Sequence, residues 1–197
     1  MESDNTSKFI SRTLARKKLG ISSDAFILGT ISNLYKNKGL IFLVETTDLL
    51  LKKTPLSTVI IGEGPDRLEV EKIIKKKKLS NKVLLKGYIS DAFQLLLAFD
   101  IYVCSSTKEG MPYAILEAMQ AGLPIVSTNV GAIPEVIDDK KNGLLIEAKN
   151  PDLLAEKINY LIRHPDEMKR LGESAKEKVK QFSLEKMINE TKNLYLE

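Results

Sequence analysis

Six short apolar runs separated by helical patterns constrain this chain more than any other feature. The runs are Phe26–Ile31, Thr58–Ile61, Lys82–Leu85, Asp100–Cys104, Pro124–Ser127 and Gly143–Ile146. Apart from polar end residues they are nearly all apolar rather than alternating, which marks strands buried on both faces. Helical patterns fill 39–53, 66–79, 91–98, 113–121 and 132–137, and three more follow the last run, near 151–163, 166–181 and 184–196. Pro65, Pro112, Pro134, Pro151 and Pro165 stand where first helical turns should begin, a place where a missing N–H costs nothing, and Ser90 and Ser183 read as N-caps. Such a βαβ series predicts a doubly wound, Rossmann-like α/β domain on a parallel sheet of about six strands.

Composition narrows the function classes. With 43% hydrophobic and 28% charged residues, a chain of 197 residues can bury a proper core, so disorder is excluded. The formal net charge of +4 is too small and too dispersed to argue for nucleic acid, and the one basic run, Lys75 to Lys78, ends a helical pattern and reads as a solvated face. A single Cys and a single His exclude an internal disulfide, a Cys/His zinc cluster and a Ser-His-Asp triad. Cys104 reads as core and His164, in a helix–helix turn, as a cap or a surface residue. The polar start (MESDNTSKF) is no signal peptide, and no apolar stretch approaches the roughly 18 residues of a spanning helix. The expected setting is reducing and cytoplasmic.

Each strand runs into small or polar residues: Ser32-Asn33, Gly62-Glu63-Gly64, Gly87-Tyr88, Ser105-Ser106-Thr107 and Thr128 to Gly131. In a parallel sheet these loops share one edge, where ligands of open α/β sheets bind. The richest segment is Ser105 to Met119. A loop with Gly110 leads into a helix opening at Pro112, so the backbone N–H groups of Gly110, Met111 and Tyr113 face outward where the dipole is positive, a site for a diphosphate. Glu109 and Glu117 bracket it, suited to accept hydrogen bonds from hydroxyls on either side. The plainer reading is a dipole-favouring acid and a solvated helix residue. Lys38 opens the first helix after the first strand against the dipole, which an anionic ligand or simple exposure would explain. Gly62-Glu63-Gly64-Pro65 is not the dinucleotide fingerprint, which argues against a dehydrogenase.

The run Glu109-Gly-Met-Pro-Tyr-Ala-Ile-Leu-Glu117 resembles the E-x7-E signature of retaining glycosyltransferases, most closely family 4. Asn33-Leu34…Lys38-Gly39, Gly62-Glu-Gly-Pro65, Gly87-Tyr-Ile-Ser-Asp91, Asn129 to Glu135 and Asn142-Gly143-Leu144 extend the resemblance from about residue 10 to the end. It implies the C-terminal, donor-nucleotide half of a GT-B fold that works without a metal or other cofactor. By that resemblance Glu109 contacts hydroxyls of the donor sugar, Glu117 the nucleotide ribose and Lys38 the diphosphate. Gly110, Met111 and Pro112 line the sugar and phosphate, Ile89 after Tyr88 lies beside the base, and Gly62 and Gly64 belong to the same donor site. Asn33 departs from the pattern, which places Arg there as a second cation.

The expected division is a linker and leading helix over 1–20, a nucleotide-sugar-binding domain over 21–182 and a crossover helix over 183–197. That last helix carries a stripe of Leu184, Met187, Ile188, Thr191, Leu194 and Tyr195, facing either its own domain or a missing N-terminal acceptor domain. The expected function is donor binding for transfer of a sugar from a nucleoside-diphosphate sugar to a glycan or lipid-linked acceptor, and the resemblance implies peripheral contact with the inner membrane face for a full-length protein. A nucleotide-sugar epimerase of the same fold and a non-catalytic binding module are the alternatives.

Overall fold

The computed structural model describes residues 8–182. Six strands form one parallel sheet: β1 (Ile27–Ile31), β2 (Ser57–Ile61), β3 (Val83–Leu85), β4 (Ile101–Cys104), β5 (Ile125–Thr128) and β6 (Leu144–Ile146). Their spatial order is β3-β2-β1-β4-β5-β6, with every neighbouring pair parallel. Each lies within a residue of its expected place, since uninterrupted apolar runs this short suit strands of a parallel sheet covered on both faces.

Successive side chains along each strand enter opposite cores. Leu28, Ile60, Val103 and Val126 pack under α2 (Leu40–Leu51), α3 (Arg67–Lys76) and α6 (Pro151–Arg163). Ile27, Val59, Ile61, Tyr102 and Ile125 pack under α1 (Arg12–Leu19), α4 (Tyr113–Gln120), α5 (Ile133–Val136) and the end of α7 (Pro165–Lys178). α1 belongs to this body. Arg16, 2% exposed, donates to the carbonyls of Ala98, Ser22 and Ser23 and pairs with Asp100, which also pairs with Arg12 and accepts from the amide of Ile27. His164 joins α6 to α7 as expected of a cap, its ring stacked on Tyr160 and its Nδ1 2.8 Å from the Tyr160 carbonyl.

Several local expectations are corrected. The segment 91–98 is a 3-10 helix (Ala92–Ala98), and its cap is Asp91 in the left-handed region rather than Ser90. Asp91 hands the chain into a tight turn in which the Ser90 side chain reaches only the Asp91 carboxylate. Pro65 precedes α3 by two residues instead of opening it, since Asp66 supplies the cap position. The pattern at 166–181 splits into α7 and a 3-10 turn over Val179–Phe182. Ser183 and the apolar stripe from Leu184 to Tyr195 lie outside the described residues. No helix among the described residues is long and apolar enough to cross a membrane.

Candidate functional site

The strand order reverses between β1 and β4. At such a switch point the loops leave the sheet in opposite directions and open a crevice at the carboxyl edge. The loops that flank it follow β1 (Ser32 to Lys38) and β4 (Ser105 to Pro112), so the topology alone juxtaposes Lys38 and Glu109. Lys38 Nζ lies 2.8 Å from both carboxylate oxygens of Glu109. Ser106, 2% exposed, donates from Oγ to Glu109 Oε2 at 2.9 Å. Glu109 therefore sits with one ammonium and one hydroxyl on its oxygens, partly screened from water, in a fixed orientation.

The two loops are laced together. The Thr107 amide donates to the Asn37 carbonyl at 2.7 Å, the Asn37 side-chain amide donates to the Lys108 carbonyl at 3.3 Å, and Ser105 Oγ donates to the Lys38 carbonyl at 3.0 Å. From the next strand, Thr128 Oγ1 donates to the Ser106 carbonyl at 2.6 Å. Gly131 completes the support. Its φ is +55°, and a Cβ there would stand 1.7 Å from the Glu109 carbonyl oxygen, so only glycine lets the loop after β5 close against the loop that carries Glu109.

An open cleft of about 300 Å³ lies over this pair, lined by Asn33, Lys38, Gly62, Tyr88, Ile89, Glu109 and Met111 together with Ser32, Ala92 and Tyr113. Seven expected site residues thus converge from the loops after β1, β2, β3 and β4. Tyr88, Met111 and Tyr113 are 76%, 53% and 65% exposed, large apolar groups held in water at the mouth. Gly62 brings the loop after β2 onto the loop after β1: a Cβ would stand 2.0 Å from the Ser32 carbonyl oxygen. Gly64 follows in that loop but does not line the cleft. Pro112, buried, lines a smaller cavity beneath, with Cys104, Ser106 and Glu109. Cys104 is half-buried there, its Sγ 3.5 Å from Ser106 Oγ, rather than fully in the core.

Three details differ from expectation. Lys38 does not open a helix: it closes a 3-10 turn (Lys36–Lys38) and stands just before Gly39, the N-cap of α2, so it still lies near the positive end of that helix and its carboxylate partner Glu109 offsets the cost. Pro112 occupies the cap position and α4 opens at Tyr113, whose amide is already spent on the Met111 carbonyl at 3.0 Å. The amides of Gly110 and Met111 have no partner among the described residues, and Gly110 faces open space. Glu117 lines neither cavity. It stands further along α4, half-buried; burial raises its carboxyl above the ordinary range, opposed by the charge of Lys8. Lys8 itself lies over the Phe93 ring and donates to Gln120. Tyr102, fully buried, has its hydroxyl pushed well up by burial and donates to the Ile31 carbonyl at 3.2 Å.

From sequence Ser106 and Gly131 stand only as members of strand-end loops, with no role of their own, and Asn37 is not marked at all. Ser106 stands three residues before Glu109, a spacing at which a hydroxyl reaches a carboxylate in a tight loop, but the partners of Asn37 and Gly131 are distant in the chain and leave no local signal.

The fold and site define a doubly wound domain with a switch-point cleft that pairs a cation with a carboxylate. Residues 11–178 match the family described as glycosyl transferases group 1, and the chain belongs to it. N-acetyl-alpha-D-glucosaminyl L-malate synthase of Bacillus anthracis is 30% identical over 184 residues, 93% of this chain and 48% of that protein. Among solved structures, a point mutant of Staphylococcus aureus TarM, in complex with fondaparinux, alpha-GlcNAc-glycerol and UDP, superposes with a TM-score of 0.80 at 31% identity, over 88% of this chain and 37% of that one. The C-terminal domain of the Francisella tularensis group 1 glycosyl transferase LpcC superposes with a TM-score of 0.78 at 29% identity, over 87% of this chain and 92% of that domain. The six-stranded sheet is that of the GT-B glycosyltransferases. The chain spans about half the length of the curated relatives it matches.

Proposed function

We propose that this chain is the donor-binding part of a retaining glycosyltransferase that takes a sugar from a nucleoside diphosphate and delivers it to a glycan or lipid-linked acceptor. The observation that carries the reading is the meeting of Lys38 and Glu109 at the switch point, under an open cleft beside two amides that have no partner among the described residues. The UDP named with TarM supports a nucleotide donor.

In this reading the diphosphate takes Lys38 and the amides of Gly110 and Met111, and Glu109, released from the lysine but still held by Ser106, accepts from hydroxyls of the sugar. Glu117, outside the cleft lining and further along α4, accepts from a ribose that extends past the cleft mouth, Ile89 and the exposed Tyr88 flank the base, Asn33 and Gly62 shape the floor near the phosphates, and Gly64 packs behind them against the Leu34 backbone. As the bond from the anomeric carbon to the diphosphate breaks, negative charge grows on the leaving oxygen, and Lys38 stabilises it in a partly water-excluded place. The acceptor oxygen bonds to the same face of that carbon, and its proton leaves with the diphosphate. Lys38 and the helix start supply the positive charge, so no metal is required.

The acceptor side of the cleft belongs to a further domain, and the chain alone binds donor without appreciable transfer. Isothermal titration with UDP, GDP and ADP tests the reading. Heat with at least one of them, reduced in Glu117→Ala and Lys38→Met, is expected; no heat with any of the three rejects it.

A further inference from the structure

A second cavity, of about 610 Å³, lies back to back with the donor cleft and shares two of its walls: the Lys36–Lys38 turn and the loop carrying Thr107 and Lys108. Its size falls in the range of small-molecule sites, about 300–1,000 Å³. Leu34, Leu40, Phe42 and Val70 give it an apolar floor. Nothing in the donor reading uses it.

Its charges are arranged asymmetrically. Lys36, Lys108 and Lys149 line it on the side of the turn and loops, all exposed and none in an ion pair among the described residues. The α3 side carries Asp66 and Glu69. An anion is thus repelled from one side and drawn to the other, while the floor between them offers apolar area at about 25 cal/mol per Å² buried. A sugar or free nucleotide would leave that floor wet, and a bare hydrocarbon would leave the lysines unused.

We infer that this cavity is a binding site for an anionic amphiphile, with a single hydrocarbon chain on the Leu34–Phe42–Val70 floor and a phosphate or carboxylate head at Lys36, Lys108 and Lys149. Because Asn37 and Thr107, which hold the two loops together, form part of the same wall, an occupant touches the back of the scaffold that orients Lys38 and Glu109.

Dodecyl phosphate, kept below its micelle concentration, is titrated calorimetrically into the protein, with inorganic phosphate as the head alone and dodecyl maltoside as the neutral chain. Dodecyl phosphate is expected to bind about ten-fold or more tightly than either. The double variant Lys36→Glu/Lys108→Glu, at exposed positions, should weaken it by about ten-fold, whereas Lys75→Glu/Lys76→Glu, exposed at the other end of α3, should change it by less than about two-fold. Ile41→Gln, a neutral change on the half-exposed apolar lining, should weaken dodecyl phosphate and leave inorganic phosphate unaltered. Equal affinity for dodecyl maltoside, equal affinity for inorganic phosphate, equal loss in both double variants, or no binding of dodecyl phosphate each overturns the proposal.

Discussion

Lys38 and Glu109 stand 71 residues apart in sequence and meet with the ammonium 2.8 Å from both carboxylate oxygens. A diphosphate that claims Lys38 must displace this carboxylate, so donor binding exchanges one ion pair for another. Removing the charge of Glu109 therefore removes a competitor for the lysine and an acid beside the phosphates. Glu109→Gln is expected to bind UDP about three- to ten-fold more tightly in isothermal titration. Lys38→Met is expected to weaken UDP by about ten-fold or more, because the Glu109 carboxylate then faces the phosphates with only Ser106 as its partner. Tighter binding in Lys38→Met would refute the exchange.

Glu117 makes the pH dependence specific. Its carboxyl is raised above the ordinary 4.5 by burial, against the pull of Lys8. Between 4.5 and that raised value the folded chain holds a proton that the unfolded chain has released, so stability falls as pH rises through this window and the loss is complete above it. Glu117→Gln should therefore raise Tm at pH 7 and leave it unaltered below pH 4. The group is half-exposed, so solvent screening holds the gain to roughly 1–2 °C. The same variant should weaken UDP, since the ribose exchanges a charged two-oxygen acceptor for a single neutral amide oxygen. Differential scanning across pH 4–8 with and without UDP separates the two effects.

The two halves of the prediction from sequence differed in kind. Strands β1 to β6 were legible to within a residue because double-faced burial writes itself as uninterrupted apolar runs such as Thr58–Ile61. The loops at their carboxyl ends were legible as chemistry, through Ser-, Gly- and Asn-rich exits. The Lys38–Glu109 pair was not, because it comes from the β1–β4 adjacency, a property of strand order rather than of either segment. The lysine's turn was misread for a related reason: Gly39, at φ +60°, breaks what looks like one helix from 39 into a 3-10 turn and α2. The availability of the Tyr113 amide was lost to a turn with Met111 that has no pattern beyond Pro112.

Gly131 supports Glu109 from behind, through a contact that only a residue without Cβ allows. Gly131→Ala combines a strained positive φ with a clash against backbone that cannot swing aside. A destabilisation of about 1–3 kcal/mol is expected, a fall in Tm of roughly 2–10 °C. Because the displaced atom belongs to Glu109, UDP affinity should fall in the folded variant as well, in isothermal titration below its Tm. A variant that melts lower but binds UDP normally would confine Gly131 to stability.

Asp100 holds α1 to the sheet by accepting from Arg12, Arg16 and the Ile27 amide. Burial lowers the Arg16 guanidinium, and the charge of Asp100 opposes that shift. Asp100→Ala leaves a guanidinium buried without its carboxylate and should cost about 2–4 kcal/mol by urea unfolding. Arg12→Ala, whose side chain is 48% exposed, should cost under about 1 kcal/mol. Comparable costs for the two would mean that the buried arm of the network contributes no more than its exposed one.

Asn33 lines the cleft with an exposed side chain, where the resemblance places a second cation for the diphosphate. Asn33→Arg should restore that charge without disturbing a packed neighbour, since the position is solvent-facing. A guanidinium offers a planar pair of donors to a phosphate, which an amide of fixed polarity does not. UDP should bind about three- to ten-fold more tightly in low salt, and the gain should shrink as ionic strength rises and the Debye length falls from about 30 Å to about 8 Å. Lys36 lies close in sequence but faces the neighbouring cavity, so Lys36→Ala should leave UDP affinity within about two-fold of the parent chain. A strong loss in Lys36→Ala would instead assign it the second cation and make Asn33 a bystander.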